Sequence, residues 1–468
     1  MQSKKMLIDA SHPEETRVVV LTGNRLEDFD VEVESRKQLK GNIYLAKVMR
    51  VEPSLQAAFV DYGGNRHGFL AFSEIHPDYY QIPIADREAL VAEQKAAEKA
   101  EGEKNGDHDD DAAAKEGEIS AADSDPSKDV ETIGGDEQED FEVSRARLIR
   151  SRRYKIQEVI KRRQILLIQV VKEERGTKGA ALTTYISLAG RYCVLMPNTA
   201  RGGGISRKIS NGSDRKRLKA ILKGLELPEG MAVIVRTAGI NRSKAEVKRD
   251  YEYLIRLWNT IREDTLESTA PALIHEEGNL IKRSIRDLYN NDIEEVIVVG
   301  DEGYRMAKDF MKLLIPSHAK KVQPYKETDQ SIMRYYKVEA QLNAIHSPQV
   351  QLKSGGYIVI NPTEALVSID VNSGRSTRER NIEETALKTN LEASDETARQ
   401  LRLRDLAGLI VIDYIDMEAS RNNAKVERRL KEAMHNDRAR IQLGRISPFG
   451  LLELSRQRMR PSLLENSS

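Results

Sequence analysis

Residues 364–417 constrain the fold more than any other stretch of the chain. A mostly apolar run, Ala365 to Ile369, ends on Asp370. The polar SGRSTRER follows, then a helical stretch from about Ile382 to Leu403, then a second apolar run, Leu406–Ile412, that ends on Asp413. Two strands thus each present an acid at the C-terminal end, where open α/β sheets place their sites. A buried strand rarely finishes on a carboxylate without a partner, because an unpaired buried charge is strongly unfavourable. One partner is a hard divalent cation: Mg²⁺ takes one or two protein carboxylates and leaves its other positions to water and phosphate. The other is an arginine such as Arg402 or Arg404, or a helix N-terminus, and the spacing alone leaves both open.

The length, 468 residues, allows two to four domains. Charged residues make up 32% and aromatics 5%, as expected of a polar, surface-rich protein. The single cysteine, Cys193 in YCVLM, excludes an internal disulfide framework or a multi-Cys zinc site within this chain and fits a small core residue. Apolar runs reach only about seven residues, far short of the roughly 20 needed to span a membrane. MQSKKMLIDA has no apolar signal core, so the expected compartment is the cytoplasm. The zero net charge hides a strong asymmetry. Residues 101–140 hold 16 Asp+Glu against 3 Lys, which leaves +13 on the rest of the chain. Residues 144–163 alone carry nine Lys and Arg against one Glu. A basic body is the electrostatic footprint of a nucleic-acid binder, although a solvated helix face balanced by the acidic segment has the same composition.

Arg17–Thr22 and Asp28–Glu34 predict a hairpin turning at Gly23-Asn24. Short strand-like segments over 41–72, punctuated by Pro53 and Gly63-Gly64-Asn65, predict a small barrel. In it Phe59 and Phe69 fall on neighbouring strands near Lys47, Arg50 and Arg66. Aromatics interleaved with cations suit base stacking, but both rings could equally be core. Residues 87–141 are too poor in large aliphatics to offset chain entropy and are expected to be disordered. The β pattern resumes at 155–187, so this stretch is an insertion within one domain. Beyond it come the loop RGGGISRKI, the strand AVIVRTAGI and a helix over 243–266. Arg236 and Thr237 at the strand's end offer a guanidinium, a hydroxyl and free amides together, a cradle for one terminal phosphate or an ordinary surface turn. Residues 282–345 alternate helix and strand, with the strand EEVIVVG and a helix over 303–315. Strands at 356–361, 365–370 and 407–413 follow, with helices at 382–403 and 421–435, and the basic stretch RIQLGRISPFGLLELSRQRMRPSLLENSS finishes in loop-like sequence.

Several long segments together resemble the catalytic half of the ribonuclease E/G family: SLQAAFVDYGGNRHGFL, KGAALTTYISLAG, LPEGMAVIVRTAG, VSIDVNSG, NLEASDETARQLRLRDLAGLIVIDYIDM and RISPFGLLELSRQR. The likeness covers nearly everything except about 87–141, and that large acidic insertion is nearer to the family's E branch than to its compact G branch. The resemblance implies a multidomain α/β and β fold. An RNase H-like subdomain would be split between 1–35 and 282–345. An OB-fold RNA-binding barrel would occupy 36–184, a 5′-sensor region 185–281, and a DNase I-like catalytic subdomain 346–468.

It also implies roles. Asp370 and Asp413 would coordinate catalytic Mg²⁺, with Asn372 supporting them. Arg236 and Thr237 would grip a 5′-monophosphate in a pocket lined by Gly190 and Val194. Phe59, Phe69 and Lys178 would contact RNA on the barrel, and Arg207 and Arg440 would lie along the RNA path. The expected partner is single-stranded RNA, cut to 5′-phosphate and 3′-hydroxyl ends. In the family a cysteine pair bridges two protomers through zinc. This sequence, ending at Ser468, contains no such pair, so the family's dimer or tetramer is expected to be weakened. The region that binds other RNA-decay proteins, and any attachment to the inner membrane, would lie in segments this sequence does not hold. Two other classes stay open: an RNA-binding protein without chemistry, which the paired aspartates disfavour, and a metal-dependent DNA nuclease, which the barrel and phosphate cradle disfavour.

Overall fold

The computed structural model describes residues 3–34, 38–83, 131–133, 154–173, 179–199, 204–206, 209, 211–225, 227–228, 230–327, 329–374, 382–435 and 437–459. These build four sheets. The first combines β1 (Lys4–His12), β2 (Glu15–Thr22) and β3 (Arg25–Val33) with β15 (Ile293–Val299) and β16 (Val322–Pro324), in the order β16-β15-β1-β2-β3. The Gly23-Asn24 hairpin forms as expected, with Gly23 at φ +59°. The central strand β1 was not foreseen from the sequence. Its alternation serves two cores: Met6 and Ile8 pack with helices α3 (Leu280–Asp287) and α4 (Asp301–Leu314) on one face, and Leu7 packs on the other. Leu403 from a distant helix joins that second core.

The second sheet is a closed barrel. Strands β4 (Ile43–Glu52), β5 (Ala57–Asp61), β6 (Gly68–Ala71), β9 (Ala181–Thr183) and β8 (Ile165–Lys172) follow one another, and β8 returns to pair with β4. A sixth strand, β14 (Ala272–His275), extends the edge of β4. Closure brings β6 and β9 together so tightly that a Cβ on Gly68 would lie 2.3 Å from Leu182 Cδ1, which explains the glycine there. The barrel closes across residues 84–153, as an insertion within one domain requires. The third sheet is small: β10 (Leu188–Ala189), β11 (Cys193–Met196), β13 (Ala232–Val235) and β12 (Gly204–Ile205). It packs against α1 (Gly212–Lys223) and the long α2 (Lys244–Glu267), which starts with a reciprocal cap between Ser243 and Glu246. Cys193 is buried in this core and is not disulfide-bonded.

The fourth sheet has seven strands in the order β17-β18-β19-β20-β22-β21-β7. These are β17 (Gln349–Gln351), β18 (Tyr357–Pro362), β19 (Leu366–Asn372), β20 (Gly408–Asp413), β22 (Leu451–Arg456), β21 (Ile441–Ile446) and β7 (Glu131–Ile133). Helices α5 (Ile382–Arg404) and α6 (Ser420–Met434) cover one face. Two features here were not foreseen. The basic C-terminal stretch, for which the sequence predicted no strand, holds a hairpin: Ile441 and Leu443 pack with Leu452 and Leu454 in the core, a period-two pattern masked by the surrounding arginines. Within the insertion expected to be disordered, Glu131–Ile133 pairs antiparallel with Ile441–Leu443 as the sheet's edge strand. Three residues are too few to carry a periodic signal; their pairing comes from the open hydrogen-bonding edge of β21. The rest of 87–141 lies outside the described residues.

Deleting residues 90–140 would remove that edge strand. The amides of Ile441–Leu443 are then expected to exchange faster with solvent, while the barrel, which closes without the insertion, keeps its cooperative melting. Hydrogen exchange read beside a melting curve checks both, and loss of the melting transition would contradict this placement.

Candidate active site

Strands β19 and β20 run parallel in a register that sets Asp370 directly opposite Asp413, and adjacent strands are about 4.8 Å apart. Ile369, Val371, Ile410 and Ile412 point into the helix-covered core, so strand alternation turns both aspartates onto the open face. The carboxylates are therefore solvent-exposed, and the burial cost that made a partner obligatory does not apply. Neither forms an ion pair among the described residues: Arg402 reaches Glu27 at 3.6 Å, and Arg404 donates to Gln400 and to the Ser347 carbonyl. Asn372, two residues on and on the same face, donates from Nδ2 to Asp370 Oδ2 at 2.8 Å and fixes that carboxylate. Partial desolvation, then the charges of Asp370 and Asp416, push the Asp413 carboxyl above its ordinary value.

The backbone just after Asp413 is clamped by α5. Asn390 is fully buried; its Nδ2 donates to the Ile415 carbonyl at 2.8 Å and its Oδ1 accepts from the Ile415 N–H at 3.1 Å. One turn further, Ser394 and Tyr414 share a hydroxyl–hydroxyl bond of 2.9 Å. At the start of the helix, Glu383 accepts from the amides of Glu418 and Ala419 and from Asn422. Buried polar groups in a satisfied network specify one geometry, because each lost bond strands a desolvated group. Among the described residues no three His, Cys, Asp or Glu side chains cluster as a metal cage would require. Two convergent exposed carboxylates with one amide support fit Mg²⁺, which keeps most of its water.

On the barrel, Phe59 and Phe69 are directly opposed across β5 and β6, with ring centroids 6.0 Å apart and nearly perpendicular. Both are half-buried and absent from the barrel core, which uses their neighbours Ala58, Val60 and Leu70. The pleat thus turns both rings away from the barrel core. The Arg50 guanidinium sits 4.8 Å from the Phe59 ring. Lys178 and Arg207 lie outside the described residues. Arg440 is half-buried immediately before β21, its carbonyl accepting from the Gln457 amide at 2.9 Å.

Arg236 and Thr237 follow β13 directly. The Arg236 guanidinium donates from Nη1 to the Gly190 carbonyl at 2.7 Å and to Asp287 Oδ1 at 2.8 Å. Gly190 is needed where it stands: a Cβ would lie 2.5 Å from Asp250 Oδ2. Asp250 in turn accepts from the amides of Arg191, Tyr192 and Cys193 at 2.8–3.1 Å and so fixes the turn after Gly190. Val194 is buried one strand away in β11. The structure thus joins Arg236 to Gly190, with Thr237 next in the chain and Val194 on the neighbouring strand. It adds Asp287, which the sequence did not single out. Asp287 also bonds Arg286 at 2.9 Å, and Arg286 pairs with Glu277. Burial opposes the Asp287 charge, yet Arg286 and Arg236 hold its carboxyl far below the usual range. Around the same cavity, Arg456 pairs with Asp405 at 2.7 Å and Asp437 at 2.8 Å, all nearly inaccessible. The charged junction therefore ties the third, first and fourth sheets together.

A closed barrel with outward aromatics and cations, joined to an α/β sheet bearing opposed aspartates, defines a nucleic-acid-handling class of protein. The profile of the ribonuclease E/G family matches residues 187–459. Ribonuclease E of Haemophilus influenzae is 43% identical over 464 residues, covering 99% of this chain and 43% of its own length. A putative ribonuclease E of Buchnera aphidicola subsp. Baizongia pistaciae is 41% identical over 97% of this chain and 95% of its own. Ribonuclease G of Salmonella typhimurium is 32% identical over 96% of this chain and 79% of its own. This chain belongs to the ribonuclease E/G family. It spans about two fifths of the Haemophilus protein's length.

The outward placement of Phe59 makes a direct expectation. Phe59→Ala should weaken binding of single-stranded RNA by roughly 1–3 kcal/mol, the usual contribution of one stacked base. Its melting temperature should stay near that of the wild type. A large thermal loss with unchanged affinity of the folded fraction would assign the ring to packing.

Proposed function

We propose that the chain is a Mg²⁺-dependent endoribonuclease of the E type, cutting single-stranded RNA in mRNA decay and in rRNA and tRNA processing. The observation that carries this reading is the Asp370–Asp413 pair, opposed across parallel strands on an open sheet face and steadied by Asn372. Membership of the family supports the reaction class, and the higher identity to E-type than to G-type relatives favours that branch. Asp370 and Asp413 would hold the ion. When bound, Mg²⁺ supplies a neutralising charge for the scissile phosphate and a more acidic water. Asn372 keeps one Asp370 oxygen engaged, which limits the orientations that carboxylate can adopt. Asp395 and α5 stand on the covered side, so RNA would approach from the open face. In-line attack of water opposite the 3′-oxygen leaves a 5′-phosphate and a 3′-hydroxyl. No 2′-hydroxyl attack is involved, in keeping with the lack of histidine beside the two aspartates in sequence.

Phe59 and Phe69 would stack on unpaired bases, with Lys178, Arg207 and Arg440 along the strand. Arg236 and Thr237 would receive a 5′-monophosphate and so stimulate cleavage. Asp287 accepts a hydrogen bond from Arg236, so an incoming phosphate would share the guanidinium with that carboxylate. No helix among the described residues is long and apolar enough to cross a membrane. A cytoplasmic site of action is part of the same proposal.

Three proteins and two RNA ends test it. Asp370→Asn or Asp413→Asn should nearly abolish Mg²⁺-dependent cleavage while RNA still binds. Arg236→Ala should lose most of the preference for 5′-monophosphate over 5′-hydroxyl ends and keep the 5′-hydroxyl rate. Wild-type turnover by either asparagine variant would sink the active-site assignment. Equal slowing of both ends by Arg236→Ala would sink the sensor assignment alone.

A further inference from the structure

The hairpin joining β21 to β22 turns at Ser447-Pro448-Phe449-Gly450, and Phe449 is 85% exposed. No aromatic side chain among the described residues is more exposed. Single exposed apolar residues need no special account, but three features set this one apart. The first is position. Leu451, two residues on, is the register partner of Asp413 across β20 and β22. Paired Cα atoms are at most about 5.5 Å apart and two residues span at most about 7 Å, so the Phe449 Cα lies within roughly 12 Å of that of Asp413. The second is rigidity. The Ser447 amide donates to the Leu451 carbonyl at 2.8 Å, the Gly450 amide to the Ser447 carbonyl at 3.0 Å, and the Phe449 amide to Ser447 Oγ at 3.3 Å. Pro448 restricts the turn further. The third is its seat. Gly450 adopts φ +78°, and a Cβ there would lie 2.9 Å from Asp416 Oδ1, so the turn rests against the acidic loop that follows Asp413.

We propose that Phe449 is a substrate-positioning residue, its ring stacking on the base of a nucleotide next to the scissile phosphate. The proposal rests on the Asp370–Asp413 reading of the active site. A strand whose phosphate lies at the two carboxylates carries a neighbouring base to the end of the sheet where this turn stands. The acidic surface there repels the backbone, and an uncharged aromatic face is the group that can hold a base without adding charge. Stacking accepts any base, so Phe449 sets where the strand lies against the carboxylates and leaves sequence preference to other contacts. A turn held by three hydrogen bonds presents the ring with little ordering left to do on binding, which is how rigid aromatic anchors favour association.

The test uses the full chain and a 5′-hydroxyl RNA oligomer with one cleavage site. Phe449→Ala should raise KM about ten-fold or more, the scale of one lost stack, or spread cleavage to adjacent bonds. Its melting temperature should be unchanged, and Phe449→Trp should restore KM. An abasic nucleotide walked along the oligomer should penalise the wild type at one position beside the cut. At that position the Phe449→Ala protein should show no further penalty, the signature of a shared contact. Binding without turnover gives a second readout: 2-aminopurine at that position should be quenched by Asp413→Asn and less by Asp413→Asn with Phe449→Ala. Wild-type KM and cleavage position in a folded Phe449→Ala protein would overturn the proposal, as would equal quenching by the two inactive proteins. Full activity of Asp413→Asn would instead overturn the active-site reading itself, so the two failures are told apart.

Discussion

Two like charges set face to face across parallel strands are the constraint around which the seven-stranded sheet is arranged. At about 4–5 Å the repulsion is roughly 1 kcal/mol in water and about 4 kcal/mol at an effective dielectric of 20. The open face keeps Asp370 and Asp413 near the lower figure. The covered face supplies the compensation, because all four residues that immediately flank the two aspartates in sequence, Ile369, Val371, Ile412 and Tyr414, join the α5–α6 core. A one-residue slip of β20 would turn Asp413 into that core and Ile412 out of it. The hydrophobic register therefore holds the acidic pair in place at a modest electrostatic cost.

Helix α5 carries that register to the rest of the molecule. Its inner face is unusually polar: Asn390 and Ser394 hold the backbone and side chain that follow Asp413, while Leu401 fills the core beneath. Its far end docks on the first sheet through Glu396 with Arg25, Arg399 with the Leu26 carbonyl, and Leu403 in the second core of that sheet. The buried junction of Arg456, Asp405, Asp437, Arg286 and Asp287 lines the same region and reaches Arg236. Breaking one partner of a buried ion pair typically costs about 3–5 kcal/mol, so these contacts favour one arrangement of the sheets. Arg236 and the paired carboxylates thus belong to one packed body.

Much of this was legible in the sequence wherever hydrophobic alternation was long. The strands around Asp370 and Asp413, the helix between them and the hairpin at Gly23 were visible, as was the capped α2. The barrel was suggested by its short strands, but pleat direction had to decide whether Phe59 and Phe69 were core or surface. Three things were hidden. The β21–β22 hairpin is interspersed with arginines, which mask four core aliphatics. Asn390 and Ser394 look like solvent-facing helix residues until tertiary structure buries them. Glu131–Ile133 is too short to signal a strand and takes its conformation from the edge it meets. The Asp287 contact to Arg236 joins residues 51 positions apart, which no local pattern records. The burial argument for a partner was also misplaced, since strand alternation leaves both carboxylates exposed.

The most direct test of the central claim substitutes sulfur for a non-bridging oxygen of the scissile phosphate. If an ion held by Asp370 and Asp413 contacts that oxygen, cleavage in Mg²⁺ should fall steeply for one stereoisomer, because a hard cation binds sulfur poorly, and softer Mn²⁺ should restore it. Equal rates for the oxygen and sulfur substrates in Mg²⁺, for both stereoisomers, would contradict a metal-to-phosphate contact at this site.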